Sequence, residues 1–325
     1  MDIIFNKDSI GDDEVKRVLG FTDADFKFDH LITDIKLETP YLIDYIGSEV
    51  YELALYTYNP DLKPGDYSAP TLSETQTKLL DRVIALIQAY LLLISYHSYS
   101  QSSDLIHTNA GRKNNRTGDQ TTPWEWQIDR DNAIQLKKAY KALDHLIKTL
   151  DDSEIEVWKN SEAYKKSKKL FIHNTAIFDD VFSINKSGQL YYRMVPFMNT
   201  IELEYIFPIL QETKFNAIKA AILAGTPSND KNEQRLLELI RNAVAYLTLA
   251  KAYKTFPVEM FPDKINYQEN TTMKAKARVE VMQSHKAEGE AYLIKLEDHY
   301  AKMTATRIER DPMSGLKEEN KHVSL

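Results

Sequence analysis

The chain has 325 residues and no cysteine, with 41 Lys+Arg against 48 Asp+Glu for a formal net charge of −7. These figures exclude disulfides, thiolate catalysis, cysteine-held zinc and a lipidated cysteine anchor, and they speak against a protein that coats nucleic acid. Apolar residues at 43% and charged residues at 27% are an ordinary soluble balance, and the length suits two domains.

The charge is unevenly spread: residues 1–66 carry 15 acidic and 6 basic side chains, whereas residues 151–325 carry 25 of each. The acidic end is suited to a basic partner surface. Met1-Asp2-Ile3-Ile4-Phe5-Asn6-Lys7-Asp8 lacks the basic and then apolar pattern of a secretory signal. The most apolar run, Val83 to Ile94, is 12 residues long. A bilayer span needs about 20, so this run reads as a buried core helix and no membrane partner is expected.

Taken in order, Ile35–Tyr56 spaces Leu42, Ile43, Ile46, Val50, Leu53 and Ala54 as one helical face. Asn59 to Asp66 has turn chemistry. Leu79–Tyr96 is apolar almost all round, as in a central bundle helix. Gln101–Thr122 is polar and without period, and reads as a loop. Asp129–Leu150 sets Ile134, Leu136, Tyr140, Leu143, Ile147 and Leu150 against Lys137, Lys138, Lys141 and Lys148. Ser153-Glu154-Ile155-Glu156 has the form of a helix-starting capping box. Ser183–Pro196 predicts a turn and a short extended run, a small β-hairpin near 183–196. Residues 304–325 lose the period and read as an extended polar tail.

The second half repeats the first. Ala89-Tyr90-Leu91-Leu92-Leu93 returns 156 residues later as Ala245-Tyr246-Leu247-Thr248-Leu249, with Val83-Ile84 matching Leu239-Ile240. Leu42, Ile46 and Tyr51 match Ile206, Leu210 and Phe215 at an offset of 164, and Leu143, Ile147 and Leu150 match Leu296, Tyr300 and Met303 at 153. Three matches in the same order imply a duplication: a mainly all-α protein of two tandem helical-bundle units with long loops, over residues 1–150 and 151–303, followed by the tail.

Catalytic spacings are scarce. There is no phosphate-binding glycine loop, dinucleotide fingerprint, metalloprotease helix or nucleophile elbow, and no cofactor is implied. His97 and His107 flank Asp104 in the polar loop, where a hydrolytic or metal role competes with a plain solvated helix end. His285 and His299, about 21 Å apart along a helix, are too distant to share a metal. Asp12-Asp13-Glu14, with Asp8 before it, is either a cation site or a set of charges favoured at a helix start. Arg112, Lys113 and Arg116 in the loop, and Lys159, Lys165, Lys166, Lys168 and Lys169 near the joint, could touch phosphates or form a solvated or inter-subunit face. Trp124 and Trp126, read as alternate residues of an extended run after Pro123, would put one ring inward and one toward a partner. The 19 tyrosines fit subunit contacts.

The helix Leu42-Ile43-Asp44-Tyr45-Ile46-Gly47-Ser48-Glu49-Val50-Tyr51, after acidic residues and before an apolar helix and a third helix, resembles the helical core of head–tail connector (adaptor) proteins of tailed bacteriophages. The duplicated form, with Ile184-Asn185-Lys186-Ser187-Gly188-Gln189, Met194-Val195-Pro196-Phe197-Met198 and Pro208-Ile209-Leu210, resembles a family encoded by phages and prophages of Bacteroidetes. The resemblance implies a virion structural protein and no enzyme. Such proteins form a ring in the portal–tail neck, typically a dodecamer, assembled in the host cytoplasm. Its partners would be the portal protein, neighbouring copies, and the tail or next neck-ring protein, with DNA passing through the channel. By position, the tail with Arg307 and Arg310 would clamp a partner, and the loop with Arg112, Lys113 and Arg116 would meet a neighbour or the channel. A cellular helical-repeat scaffold and an all-α enzyme using the 97–107 loop are the alternative readings of the sequence.

Overall fold

A computed structural model describes residues 2–20, 22–23, 25–65, 67, 72–103, 105–108, 111–114, 124–256, 258–260, 265–267 and 275–305. The fold is mainly α-helical and divides into two compact units, Met1–Thr200 and Ile201–Leu325. The expected joint at residue 150 thus lies within the first unit, because Ile155 and Trp158 are buried in the same core as the helices before them.

In the first unit a short helix α1 (Gly11–Val18) precedes α2 (Ile32–Ile46) and α3 (Ser48–Tyr58). The single helix expected over 35–56 is broken at Gly47, whose φ of 84° and ψ of 152° suit glycine almost alone. The break lets Leu42 and Ile46 on α2, and Val50, Tyr51 and Ala54 on α3, all reach the core. Two long helices follow, α4 (Glu74–Ser103) and α5 (Glu125–Asp151), about 45 and 40 Å long at 1.5 Å per residue.

Helix α4 is long and apolar enough to cross a bilayer by length and composition. In this unit it is the central core element, with Leu80, Val83, Ile87, Leu91 and Leu92 buried. Helix α5 buries Ala139, Leu143, Leu146, Ile147 and Leu150, while Ile134 and Tyr140 fall at the edges of its apolar stripe and stay exposed. Between α4 and α5 the strands β1 (Leu105–Thr108) and β2 (Gly111–Asn114) pair antiparallel, Leu105 opposite Asn114 and Thr108 opposite Gly111. Where it is described, the expected loop over 101–122 is a helix end and two paired strands. The serines carry the helix to residue 103 by returning hydroxyl bonds to carbonyls, Ser102 to Tyr99 at 2.9 Å and Ser103 to Ser100 at 3.1 Å.

Three short helices, α6 (Glu156–Asn160), α7 (Glu162–Lys168) and α8 (Thr175–Val181), lead to α9 (Gly188–Ile201). The hairpin expected near 183–196 is absent. Asn185 and Lys186 are both left-handed, and Asp179 Oδ1 accepts from the Ile184 and Lys186 N–H groups at 2.8 and 3.0 Å. Asp144 then caps α9 by accepting from Gln189 N–H and Ser187 Oγ, both at 3.0 Å, so Leu190–Pro196 is helical and not extended.

The second unit opens on a π turn, Glu202–Ile206, followed by α10 (Phe207–Leu223), α11 (Lys231–Thr255), a hairpin of β3 (Val258–Met260) and β4 (Ile265–Tyr267), and α12 (Ala275–Thr304). Pro208 lacks an N–H and its ring crowds the Glu204 carbonyl four residues back, which accounts for the widened turn. Helix α10 is broken at Gln211, with φ 59° and ψ 168°.

The two units therefore share a plan: broken helix, long helix, hairpin, long helix. The 164-residue offset carries Gly47 onto Gln211, so the same positive-φ break occurs at the same place in both copies. The 156-residue offset carries the buried Leu80, Val83, Ile84, Ile87 and Leu91 onto the buried Leu236, Leu239, Ile240, Ala243 and Leu247.

Candidate functional site

Of the sequence-designated residues, Arg112, Lys113, Trp124 and Trp126 lie on β2 and at the start of α5. Trp124 caps α5 in extended conformation, its N–H donating to Gln127 Oε1 at 2.9 Å. Trp126 lies in the first turn of that helix. Trp124 is 71% and Trp126 59% exposed. The expectation of one buried and one exposed ring is corrected: no strand alternation separates them, and the helix start leaves both in solvent. Arg112 and Lys113 lie on β2, opposite His107 and Ile106. Arg116, Arg307 and Arg310 lie outside the described residues, as does the rest of the tail beyond residue 305.

Several residues of the other charged motifs have internal partners. His97 Nε2 sits 3.0 Å from Gln101 Nε2, and burial lowers its pKa; His107 lies on β1, and Asp104 is outside the described residues. Asp12 accepts from Phe28 N–H at 2.8 Å and pairs with Lys27 at 3.0 Å; these bonds hold its carboxyl below the usual range. Glu14, only 3% exposed, accepts from Asn6 N–H at 2.8 Å, Tyr58 OH at 2.7 Å and Gln88 Nε2 at 2.8 Å. Glu14 thus ties the N-terminal segment to α3 and α4, while Asp8 and Asp13 are exposed. Lys159 pairs with Glu154, Lys166 with Glu162 at 3.9 Å, and Lys168 lies 4.8 Å from the Tyr164 ring. His285 packs on Tyr253 and Tyr246, and His299 meets the Asn232 carbonyl at 2.9 Å. Among the described residues no group of three or more His, Cys, Asp or Glu could hold a metal ion.

The sequence reading missed a cavity of about 180 Å³ at the end of α5, lined by Asp144, Lys148, Asp151, Lys168, Thr175 and Lys186 among others. Its carboxylates are engaged: Asp144 caps α9, Asp152 pairs with Lys148, and Asp151 accepts from Trp158 Nε1 at 3.1 Å and Tyr192 OH at 2.9 Å. Burial raises the Asp151 pKa, and burial beside that carboxylate raises the Tyr192 pKa. The arrangement binds α5, α6 and α9 together through one half-buried carboxylate.

Large apolar side chains are exposed in both units. Leu37 and Tyr41 lie one turn apart on α2, and Leu203, Tyr205 and Phe207 surround the π turn. Tyr41 and Tyr205 occupy the same place in the duplicated plan at the 164-residue offset.

The chain matches a family described as a family of unknown function (DUF6712) over residues 42–168 and 206–304, which together make up more than half of it. The chain belongs to that family. The two DUF6712 segments begin at Leu42 and Ile206, the same pair that the 164-residue offset relates, and are consistent with tandem units. No curated protein matches the chain, and no solved structure does.

Proposed function

We propose that this DUF6712 member is a structural subunit of the portal–tail neck of a tailed bacteriophage, a connector that joins the portal protein above to tail or neck components below. The observation that carries the reading is the exposure of Trp124 and Trp126 together at one end of a long helix pair. Two solvated indoles at the end of a long helix pair are costly in a free monomer and favourable in a contact, because aromatic anchors dominate protein interfaces. The exposed Leu37, Tyr41, Leu203 and Tyr205 supply further contact area. The resemblance of Leu42–Tyr51 and the duplicated plan to connector cores supports the same reading. In it the protein works by geometry and not by turnover: arms touch neighbours, and the acidic N-terminal segment faces a basic surface. Mass spectrometry of nuclease-treated, density-banded particles from a culture whose phage or prophage encodes the chain tests this. The protein is expected in the particle band at a constant ratio to portal protein; its absence there would overturn the reading.

A further inference from the structure

We propose that the groove of the second unit between the π turn, α11 and α12 docks the acidic N-terminal face of another copy of this chain. The inference rests on the assembly reading and gives it a contact. The groove holds a cavity of about 350 Å³ whose lining includes Tyr205, Leu247 and Met282 together with Lys251, Lys254 and Lys286. It continues into a second cavity of about 250 Å³ that shares Lys254 and Met282 and adds Arg278 and Val279. Among the described residues Glu204 is the one acidic residue lining either cavity. A lining that combines apolar and cationic side chains suits an acidic segment that also offers an apolar side chain.

The duplication shows that the fold does not demand these cations. At the 156-residue offset Lys251 and Lys254 correspond to Ser95 and Ser98; at the 153-residue offset Lys286 and Arg278 correspond to Ala133 and Glu125. The first unit builds the same long helix pair without them. Lys286 also pairs with Glu290 at 3.6 Å within α12; the difference in charge between the two copies lies at positions that the shared helix pair does not require.

The occupant follows from charge complementarity within the chain. Asp8, Asp13, Asp23, Asp25 and Asp29 are exposed in the N-terminal segment, beside Ile10, which is 40% exposed. Asp12 and Glu14 take no part, being held by Lys27, Phe28 and the buried network. Groove and acidic face are different surfaces, so each copy gives one and receives the other. Such a heterologous contact generates a closed ring or a filament.

The test is sedimentation velocity of the full chain at about 0.05 and about 0.5 M salt, with Lys251→Glu/Lys254→Glu and Asp25→Lys/Asp29→Lys variants whose folding is checked by circular dichroism. Wild type should self-associate, more weakly at high salt. Each variant alone should lose about tenfold or more in affinity, and an equal mixture of the two should recover it, because both contacts in the mixture pair opposite charges. Lys254→Gln, which only removes charge, replaces the reversal if that fails to fold, and should weaken association in the same direction. A wild-type monomer at both salts, or association indifferent to the variants, would overturn the proposal. Self-association through the groove by a protein missing from particles would uphold the contact and overturn the virion reading. Groove-indifferent association by a protein present in particles would do the reverse.

Discussion

Gln211 holds a backbone conformation that its counterpart Gly47 adopts without a side chain. A non-glycine residue in that region costs of order 1–3 kcal/mol. Gln211→Gly should therefore stabilise the second unit by about 1 kcal/mol in urea unfolding, and Gly47→Gln should destabilise the first by a similar or larger amount. The sequence shows the pairing of these positions through the offset, but nothing in a glutamine announces a positive φ. Glu14 makes the same point for charge. Its place in an acidic run suggests a solvated helix start, and only the approach of Tyr58 and Gln88 from distant segments reveals it as buried. Glu14→Ala would take this acceptor from the Asn6, Tyr58 and Gln88 donors, of which Gln88 is buried, and should cost about 3 kcal/mol by the same assay. Asp151 gives a pH signature. Burial raises its folded pKa above 3.8, so the folded state holds this proton more tightly than the unfolded chain, and this group's contribution to stability declines as pH rises from 3.8 through the folded value. Asp151→Asn, which keeps an acceptor for Trp158 and Tyr192, should flatten that decline in melting curves taken across the range; an unchanged profile would contradict it.

Helices were legible where periodicity was strong. Leu79–Tyr96 and Asp129–Leu150 are the inner parts of α4 and α5, extended by serine back-bonding at one end and by the Trp124 cap at the other. The hairpins were not legible, because strands of three or four residues carry too little alternation. The misplaced hairpin near 183–196 has a specific cause: Leu190-Tyr191-Tyr192 has strand-forming side chains, but Asp144, 45 residues before Gln189, supplies the cap that starts a helix there. Close approach between elements depends on small residues. A Cβ on Gly289 would lie 2.7 Å from Leu247 Cγ, so Gly289→Val should force α12 off α11 and cost about 1–3 kcal/mol. The tryptophans behave oppositely. Trp124→Ala/Trp126→Ala should shift unfolding free energy by no more than about 0.5 kcal/mol, as for exposed sites generally, while reducing incorporation into particles in a complementation assay.

For the whole molecule, the duplication was the most legible feature and the one that organises the rest. Offsets of 164, 156 and 153 residues map the broken helix, the central helix and the last long helix of one unit onto the other, and the DUF6712 segments begin at the paired Leu42 and Ile206. The extent of the first unit was not legible, because the attachment of residues 151–200 to it depends on Trp158, Tyr192 and the Asp151 carboxylate meeting in space. The groove cations were visible as lysines, but not as a group, since α11 and α12 bring them together only on folding. The duplicated plan, the solvated indoles and the unequal charge between copies of the repeat support one account: a subunit built to contact other subunits.

Averaged electron microscopy of purified particles, with the chain gold-labelled, tests that account most directly. The account predicts label confined to the vertex where head meets tail, at about twelve copies arranged around the channel axis. Label spread over the capsid shell, or particles without label, would contradict it.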